Sequence, residues 1–275
     1  MKTQKRVLIT GAGSGLGRAL AQRFASDGYR VAVADIDDDR AQETVDLISM
    51  SGRVAEAFHL DVRKESDFAD LAAHLEKNWG GIDVLINNAG VSSAGRLDET
   101  STEDWQWMLD INLMGVVQGC RHFIPLLTQS AQTGNQAHIV NIASFAAIAQ
   151  LPGMATYNVA KTAVVSLSET LRAELLDQNI GVSVACPSFF KTNLLDSFRG
   201  PDDGVKKLVG KFMERSAITA DDVADQIFAA VQKNRFLVIT HGESRQHWRI
   251  KRASPELYFR IMTQAARKML KPRAR

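Results

Sequence analysis

The stretch that most limits the fold is "VLITGAGSGLGRALAQRF", residues 7–24, where an apolar β-branched run, a glycine-rich turn and an amphipathic run follow one another without a gap. Glycines allow torsions and close approaches that a Cβ blocks, and a helix opening directly behind them presents free N–H groups to a phosphate. The spacing Gly11, Gly15, Gly17 departs from GxGxxG, so the order strand, turn, helix carries the reading more than the pattern does. Taken alone, the same residues also describe a tight turn with no ligand.

The rhythm continues along the chain. "RVAVAD", "AEAFHLD", "DVLINNAG", "HIVNIAS", "GVSVACP" and "RFLVIT" read as further strands, and helical patterns open near Leu16, Asp38, Glu65, Glu103, Ala155 and Ala220. The early strands are continuous apolar runs, as strands buried on both faces of a parallel sheet are. The expectation is an α/β fold: a doubly wound, Rossmann-like parallel sheet of about seven strands, in one domain over residues 1–240. Thr100 and Glu103 have capping-box spacing, which predicts a helix start there. Residues 188–217, with "RGPDDG" inside them, break the rhythm after a strand end, where an α/β sheet binds ligands, and read as a substrate loop.

Residues 241–275 form a separate stretch. They carry ten Lys or Arg against Glu243 and Glu256, a balance of +8, which leaves −6 for the first 240 residues of a chain whose total is +2. A helix opening near Pro255, with Ser254 as cap, gathers Leu257, Phe259, Ile261, Met262, Ala265, Ala266, Met269 and Leu270 among Arg260, Arg267 and Lys268. Such a helix suits packing on its own domain or on a sister subunit, and equally a peripheral membrane contact.

Several classes are excluded or disfavoured. Cys120 and Cys186 give neither a disulfide framework nor metal-ligand spacing, so no metal is expected and a reducing compartment fits. The N-terminus lacks the apolar core of a signal peptide, and no apolar run is long enough to span a bilayer. The expected location is the cytoplasm, with the tail at a membrane periphery as an option, and no nucleic-acid partner is expected.

Strand ends supply the candidate ligand contacts. Asp35, 20 residues beyond Gly15, ends the second strand, where a carboxylate accepts hydrogen bonds from both adenosine ribose hydroxyls. A 2′-phosphate would meet it with like charge and no compensating arginine, and neither Ser14 nor Ile36 offers a cation; NAD is therefore favoured over NADP. Asp35 also reads as a cap for the next helix, although Asp37, Asp38 and Asp39 serve as well. Asp61 and Val62 end the third strand and "NNAG", residues 87–90, the fourth, so successive strand ends line one crevice.

With "TGAGSGLG" at 10–17, Asp61, "NNAG", Asn112, Ser144, "YNVAK" at 157–161 and "CPSFFKT" at 186–192 arriving in order, the chain resembles the short-chain dehydrogenase/reductase family over residues 5–240. The resemblance implies that Tyr157 is the proton donor and acceptor. A free phenol titrates at about pH 10, and Lys161, one helical turn along, would favour the phenolate by Coulombic attraction and also bind the nicotinamide ribose. It implies that Ser144 holds the substrate oxygen and that Asn112, in a locally irregular helix, positions a water linking Lys161 to solvent. It further implies dinucleotide contacts at Gly11, Gly13, Ser14, Gly15, Leu16, Gly17, Asp35, Ile36, Asp61, Val62, Asn88, Ala89, Gly90, Pro187 and Thr192, with Tyr157 and Lys161. Outside this context Tyr157 reads as a packed ring and Lys161 as a solvated charge. One departure stands out: Ser188 follows Pro187 where the family has glycine, so a strained or shifted loop is expected there.

The candidate substrate wall is apolar: Phe145, Ala146, Ala147 and Ile148 after the serine, Leu151 and Met154 before the tyrosine, and Phe189, Phe190, Leu194 and Leu195 on the loop. Without an arginine clamp, a neutral lipophilic alcohol or ketone is expected in preference to an anionic hydroxy acid. The leading expectation is an NAD-dependent oxidoreductase acting on CH–OH groups of secondary, long-chain or retinoid- and steroid-like alcohols, assembled as a homodimer or homotetramer. The alternatives are a catalytically silent NAD sensor or scaffold of the same fold, and a peripheral membrane protein acting through its tail.

Overall fold

The computed structural model describes residues 4–196, 198–200 and 203–269. Strands β1 (Arg6–Thr10), β2 (Arg30–Asp35), β3 (Ala55–His59), β4 (Val84–Asn87), β5 (Ala137–Ile142), β6 (Ile180–Ala185) and β7 (Leu237–Val238) form one sheet in the order β3-β2-β1-β4-β5-β6-β7, every pair parallel. The strand order reverses between β1 and β4, and this switch point opens a crevice at the strands' carboxyl ends. Alternate side chains enter opposite cores: Val7 and Ile9 face one, Leu8 the other, all fully buried. The expected doubly wound sheet is therefore present.

Helices α1 (Gly15–Ser26), α2 (Asp38–Met50) and α9 (Ala220–Gln232) cover one face, with Phe24, Tyr29 and Phe228 packed edge to face at 5.0–6.4 Å. The other face is covered by α3 (Glu65–Trp79), α5 (Gly115–Gln132) and α7 (Ala155–Glu174). Between α4 (Thr102–Leu109) and α5 the helix runs through a π turn, Asp110–Met114. This is the irregular backbone expected around Asn112.

Two local expectations shift. The cap of α4 is Ser101, whose hydroxyl accepts from the Asp104 amide at 3.1 Å, while Thr100 donates its hydroxyl to the Arg96 carbonyl. Neighbouring Ser101 and Asp104 repeat the same capping spacing one residue later and win. Nor is "RFLVIT" a full strand, because β7 pairs only at Leu237 and Val238 on the sheet edge.

Helices α6 (Ala146–Ala149) and α8 (Asp203–Arg215) flank the crevice, and α10 (Gly242–Ala253) and α11 (Pro255–Met269) follow β7. Helix α11 opens where the sequence predicts, but α10 was not anticipated: its "GESRQHWRIKRA" is strongly polar on average, with Trp248 packed against the core. α10 packs on α6, and Lys251 donates to the Ile148 carbonyl at 2.8 Å. Tyr258 of α11 is buried, whereas Leu257, Phe259 and Ile261 are exposed. The side chains of Leu195, Ala265, Ala266, Lys268 and Met269, and all of Leu270, lie outside the described residues. No helix among those described is long and apolar enough to cross a membrane.

Candidate active site

The carboxyl ends of the strands open into one continuous cavity of about 480 Å³. At one end lie the glycine loop and the ends of β2 and β3; at the other lie α4, α8 and the segment after β6.

The glycine loop owes its shape to three sets of bonds. The Thr10 hydroxyl accepts from the Asn88 and Ala89 amides, both at 3.0 Å, tying β1 to the end of β4. The Asn88 side chain donates to the carbonyls of Thr10 and Gly11, each at 3.0 Å. Asp35 accepts the Gly13 amide at 2.8 Å with one carboxylate oxygen and the Asp37 amide at 3.1 Å with the other. Gly17 sits so close beneath this loop that a Cβ would strike the Gly11 carbonyl. No side chain caps α1 at Ser14, so its first amides remain free to meet an anion. The next helix is capped by Asp37, which accepts from the Arg40 amide, so Asp35 is not a helix cap.

Sequence reading missed the cations beside this end. Arg40 lines the cavity next to Asp35 and Ile36, its guanidinium 3.2 Å from Asp37. It lies in the first turn of α2, which folds back over the glycine loop, so the expected lack of a nearby arginine does not hold. Arg63 also lines the cavity and holds both oxygens of Asp61, at 2.9 and 2.6 Å. Its hydrogen bonds outweigh burial and keep the Asp61 carboxyl below its ordinary range.

At the centre, Ser144, Tyr157 and Lys161 meet on the cavity wall. Helical spacing puts Tyr157 and Lys161 on one face of α7, the ammonium 5.9 Å from the centre of the phenol ring. Lys161 donates to the Ile142 carbonyl at 3.0 Å, and burial brings it down to about 8. Burial pushes the Tyr157 phenol up, and hydrogen bonding to Ser144 opposes this. The phenol is thus not lowered as expected: desolvation dominates, and the ammonium is directed at a carbonyl instead of the phenol oxygen.

Asn112 and Gly13, alone among the expected site residues, do not line the cavity. Gly13 is turned into its bond with Asp35. Asn112 is fully buried behind Gly90, accepting from the Val91 amide at 3.0 Å and donating to the Val91 carbonyl at 2.9 Å. Both arms of its amide are thereby engaged with the exit from β4. A methyl at Gly90 would strike the Asn112 Oδ1. Asn87 faces away from the crevice, donating to Asn141 at 2.9 Å.

Beyond Tyr157 the wall is mostly apolar, although Asp196 on the loop after β6 also lines the cavity. Phe145, Ala146, Leu151, Met154, Phe189, Phe190 and Leu194 line it as expected, whereas Ala147 and Ile148 pack away from it. Trp107, Phe198, Val209 and Met213 complete it from α4, the loop after β6 and α8. Their helical and loop positions reveal nothing about the cavity until the fold brings them together. Pro187 and Thr192 also line the cavity. Ser188 is not among the described residues with a left-handed backbone, so the expected strain is absent; its amide donates to His241 at 3.3 Å.

Comparison with known proteins places these features. A family model described as short chain dehydrogenase matches residues 5–202. The "CLA biosynthesis dehydrogenase/reductase" of Lactiplantibacillus plantarum is 33% identical over 256 residues, covering 87% of this chain and 88% of that protein. "Probable oxidoreductase EphD" of Mycobacterium tuberculosis is 34% identical over 258 residues, which span 91% of this chain but 43% of that protein. A crystal structure of a short chain dehydrogenase/reductase from Burkholderia phymatum, in complex with NAD, superposes with a TM-score of 0.86 at 34% identity, covering 92% of this chain and 95% of that one.

Proposed function

Because the chain belongs to the short-chain dehydrogenase family, an oxidoreductase family, we propose that it transfers a hydride between NAD and a neutral, lipophilic secondary alcohol or ketone. The observation that carries this reading is the single cavity joining the uncapped start of α1, Asp35, the Ser144–Tyr157–Lys161 group and an apolar end.

The residues fit a dinucleotide on their own chemistry. The free amides of α1 suit the pyrophosphate and the Asp35 carboxylate the adenosine ribose hydroxyls, while Val62 and Ile36 offer apolar contact to the adenine. A bound nicotinamide supplies the hydride acceptor at its C4. Tyr157 accepts the proton of the substrate hydroxyl as the carbinol carbon loses its hydride, and returns a proton when the ketone is reduced. Ser144 donates to the substrate oxygen as it gains negative charge. With Lys161 brought down to about 8, its ammonium still predominates at neutral pH and supports the phenolate electrostatically. The walls from Trp107 to Met213 hold the substrate's apolar body by burial, without a cationic clamp.

The test is nicotinamide absorbance with a panel of secondary, long-chain and steroid-like alcohols alongside short hydroxy acids. Turnover confined to the lipophilic alcohols is expected; dinucleotide binding with no turnover of any alcohol or ketone would overturn the reading.

A further inference from the structure

His241 stands between β7 and α10 and belongs to none of the motifs above. Its half-buried imidazole bridges separate stretches of chain. Nε2 lies 3.1 Å from the Phe189 carbonyl oxygen, and Nδ1 lies 3.3 Å from the Ser188 amide and 2.7 Å from the Thr240 hydroxyl. A carbonyl only accepts and a backbone amide only donates, so one tautomer fits, with the proton on Nε2 and the single Nδ1 lone pair shared by the Ser188 amide and the Thr240 hydroxyl. Ser188 and Phe189 both line the cavity and follow Pro187, whose carbonyl accepts the Phe145 amide at 2.7 Å, beside Ser144. α10 reinforces the same region, because His247 packs edge-on against the Phe145 ring at 5.8 Å.

We propose that His241 is a positioning residue for the reaction: its neutral imidazole pins the Ser188–Phe189 segment and so fixes the wall that holds the nicotinamide end of the dinucleotide. This inference rests on the dinucleotide site proposed above. Protonation places a second N–H on Nδ1, opposite the Ser188 amide, and donor then faces donor, so the Ser188 bond is lost. The groups facing the ring from the loop after β6 and from the end of β7 are Ser188, Phe189 and Thr240, none of which ionises in the acidic range. The charges near it are Glu243 and Arg245, of opposite sign, on α10. Burial moves the imidazole below its ordinary range, so the neutral form prevails at neutral pH and the segment is released on acidification.

The test titrates NAD into the full-length protein by calorimetry. His241→Ala loses the whole bridge, His241→Asn keeps an acceptor for the Ser188 amide without titrating, and His241→Gln keeps a donor for Phe189. At neutral pH, His241→Ala should bind NAD roughly tenfold more weakly than wild type, the loss of two ordinary hydrogen bonds, and the other two variants should fall between. On acidification below the ordinary imidazole range, wild type should lose affinity while His241→Asn does not. Where the wild type turns over an alcohol, its kcat should show the same acid limb and His241→Asn should lack it. Equal NAD affinity in wild type and His241→Ala, or one acid limb shared by wild type and His241→Asn, would overturn the proposal. A wild type that binds NAD but oxidises no alcohol removes the functional reading and leaves this one standing, whereas a wild type that binds no dinucleotide removes both.

Discussion

Tyr157 and Lys161 share a helix face, yet burial moves the phenol up and the ammonium down. Tyr157→Phe keeps the ring that packs against Met154 and Ala160 but removes the proton carrier. Turnover should fall at least about 100-fold while NAD affinity, followed by calorimetry, stays within about twofold; undiminished turnover would end the assignment. Lys161 has its own stability signature. Its folded pKa of about 8 lies below the 10.5 of a free lysine, so the unfolded chain binds more protons between those values, and stability from this group rises with pH across that window. Lys161→Met should flatten the rise, as read by urea midpoints between pH 8 and 10. At the adenosine end, Asp35 and Arg40 put opposite charges on the same cavity wall. Asp35→Ala should weaken NAD and strengthen NADP by about tenfold each in parallel titrations, because Arg40 is then the nearest charge. Asp35 was legible because a strand ended in a carboxylate at a fixed distance from a glycine turn. Arg40 was not, because nothing in "DIDDDRAQ" tells which way the first turn of a helix folds over a loop.

At the scale of elements, six of the seven strands and the starts of seven helices, α11 among them, were written in apolar runs and caps, since each buries residues on a regular period. α10 was invisible because it is strongly polar on average and held by particular contacts, such as Lys251 to the Ile148 carbonyl. Strands β1 and β4, the paired neighbours at which the strand order reverses, are fastened at the ends away from the crevice by Asp83, which accepts from the amide and guanidinium of Arg6 at 2.7, 3.0 and 2.9 Å and also from Ser130. Burial pushes the Asp83 carboxyl up, but these bonds outweigh it and hold it below its ordinary 3.8. Its stabilisation is therefore present above about pH 4 and lost as pH falls further. Asp83→Asn should cost about 3 kcal/mol at neutral pH, since it leaves the Arg6 charge unpaired, and the gap from wild type should narrow as denaturation is repeated toward pH 3.

For the whole molecule, we propose a peripheral contact with anionic lipid, argued from the excess positive charge in the tail and the exposed Leu257, Phe259 and Ile261 of α11, which would bring a lipophilic substrate to the cavity. Phe259→Glu combined with Arg260→Glu should reduce sedimentation with anionic vesicles several-fold and leave turnover of a soluble alcohol unchanged; equal sedimentation would mean that these residues instead meet a second copy of the chain. We propose a homodimer or homotetramer, to be checked by sedimentation equilibrium of both proteins. A last consequence concerns length. The π turn at Asp110–Met114 inserts one residue more than a regular helix would hold between α4 and α5. Deleting a single residue there would let α4 and α5 run on as one regular helix with Trp107 and Phe123 near their present relative facing, because a π turn spreads its extra residue over nearly the same sweep as a regular turn. The sheet would keep its cover and the cavity its wall, while the widened turn that holds Asn112 against Gly90 and Val91 would be lost, so the extra residue serves the exit from β4 and not the facing of the helices.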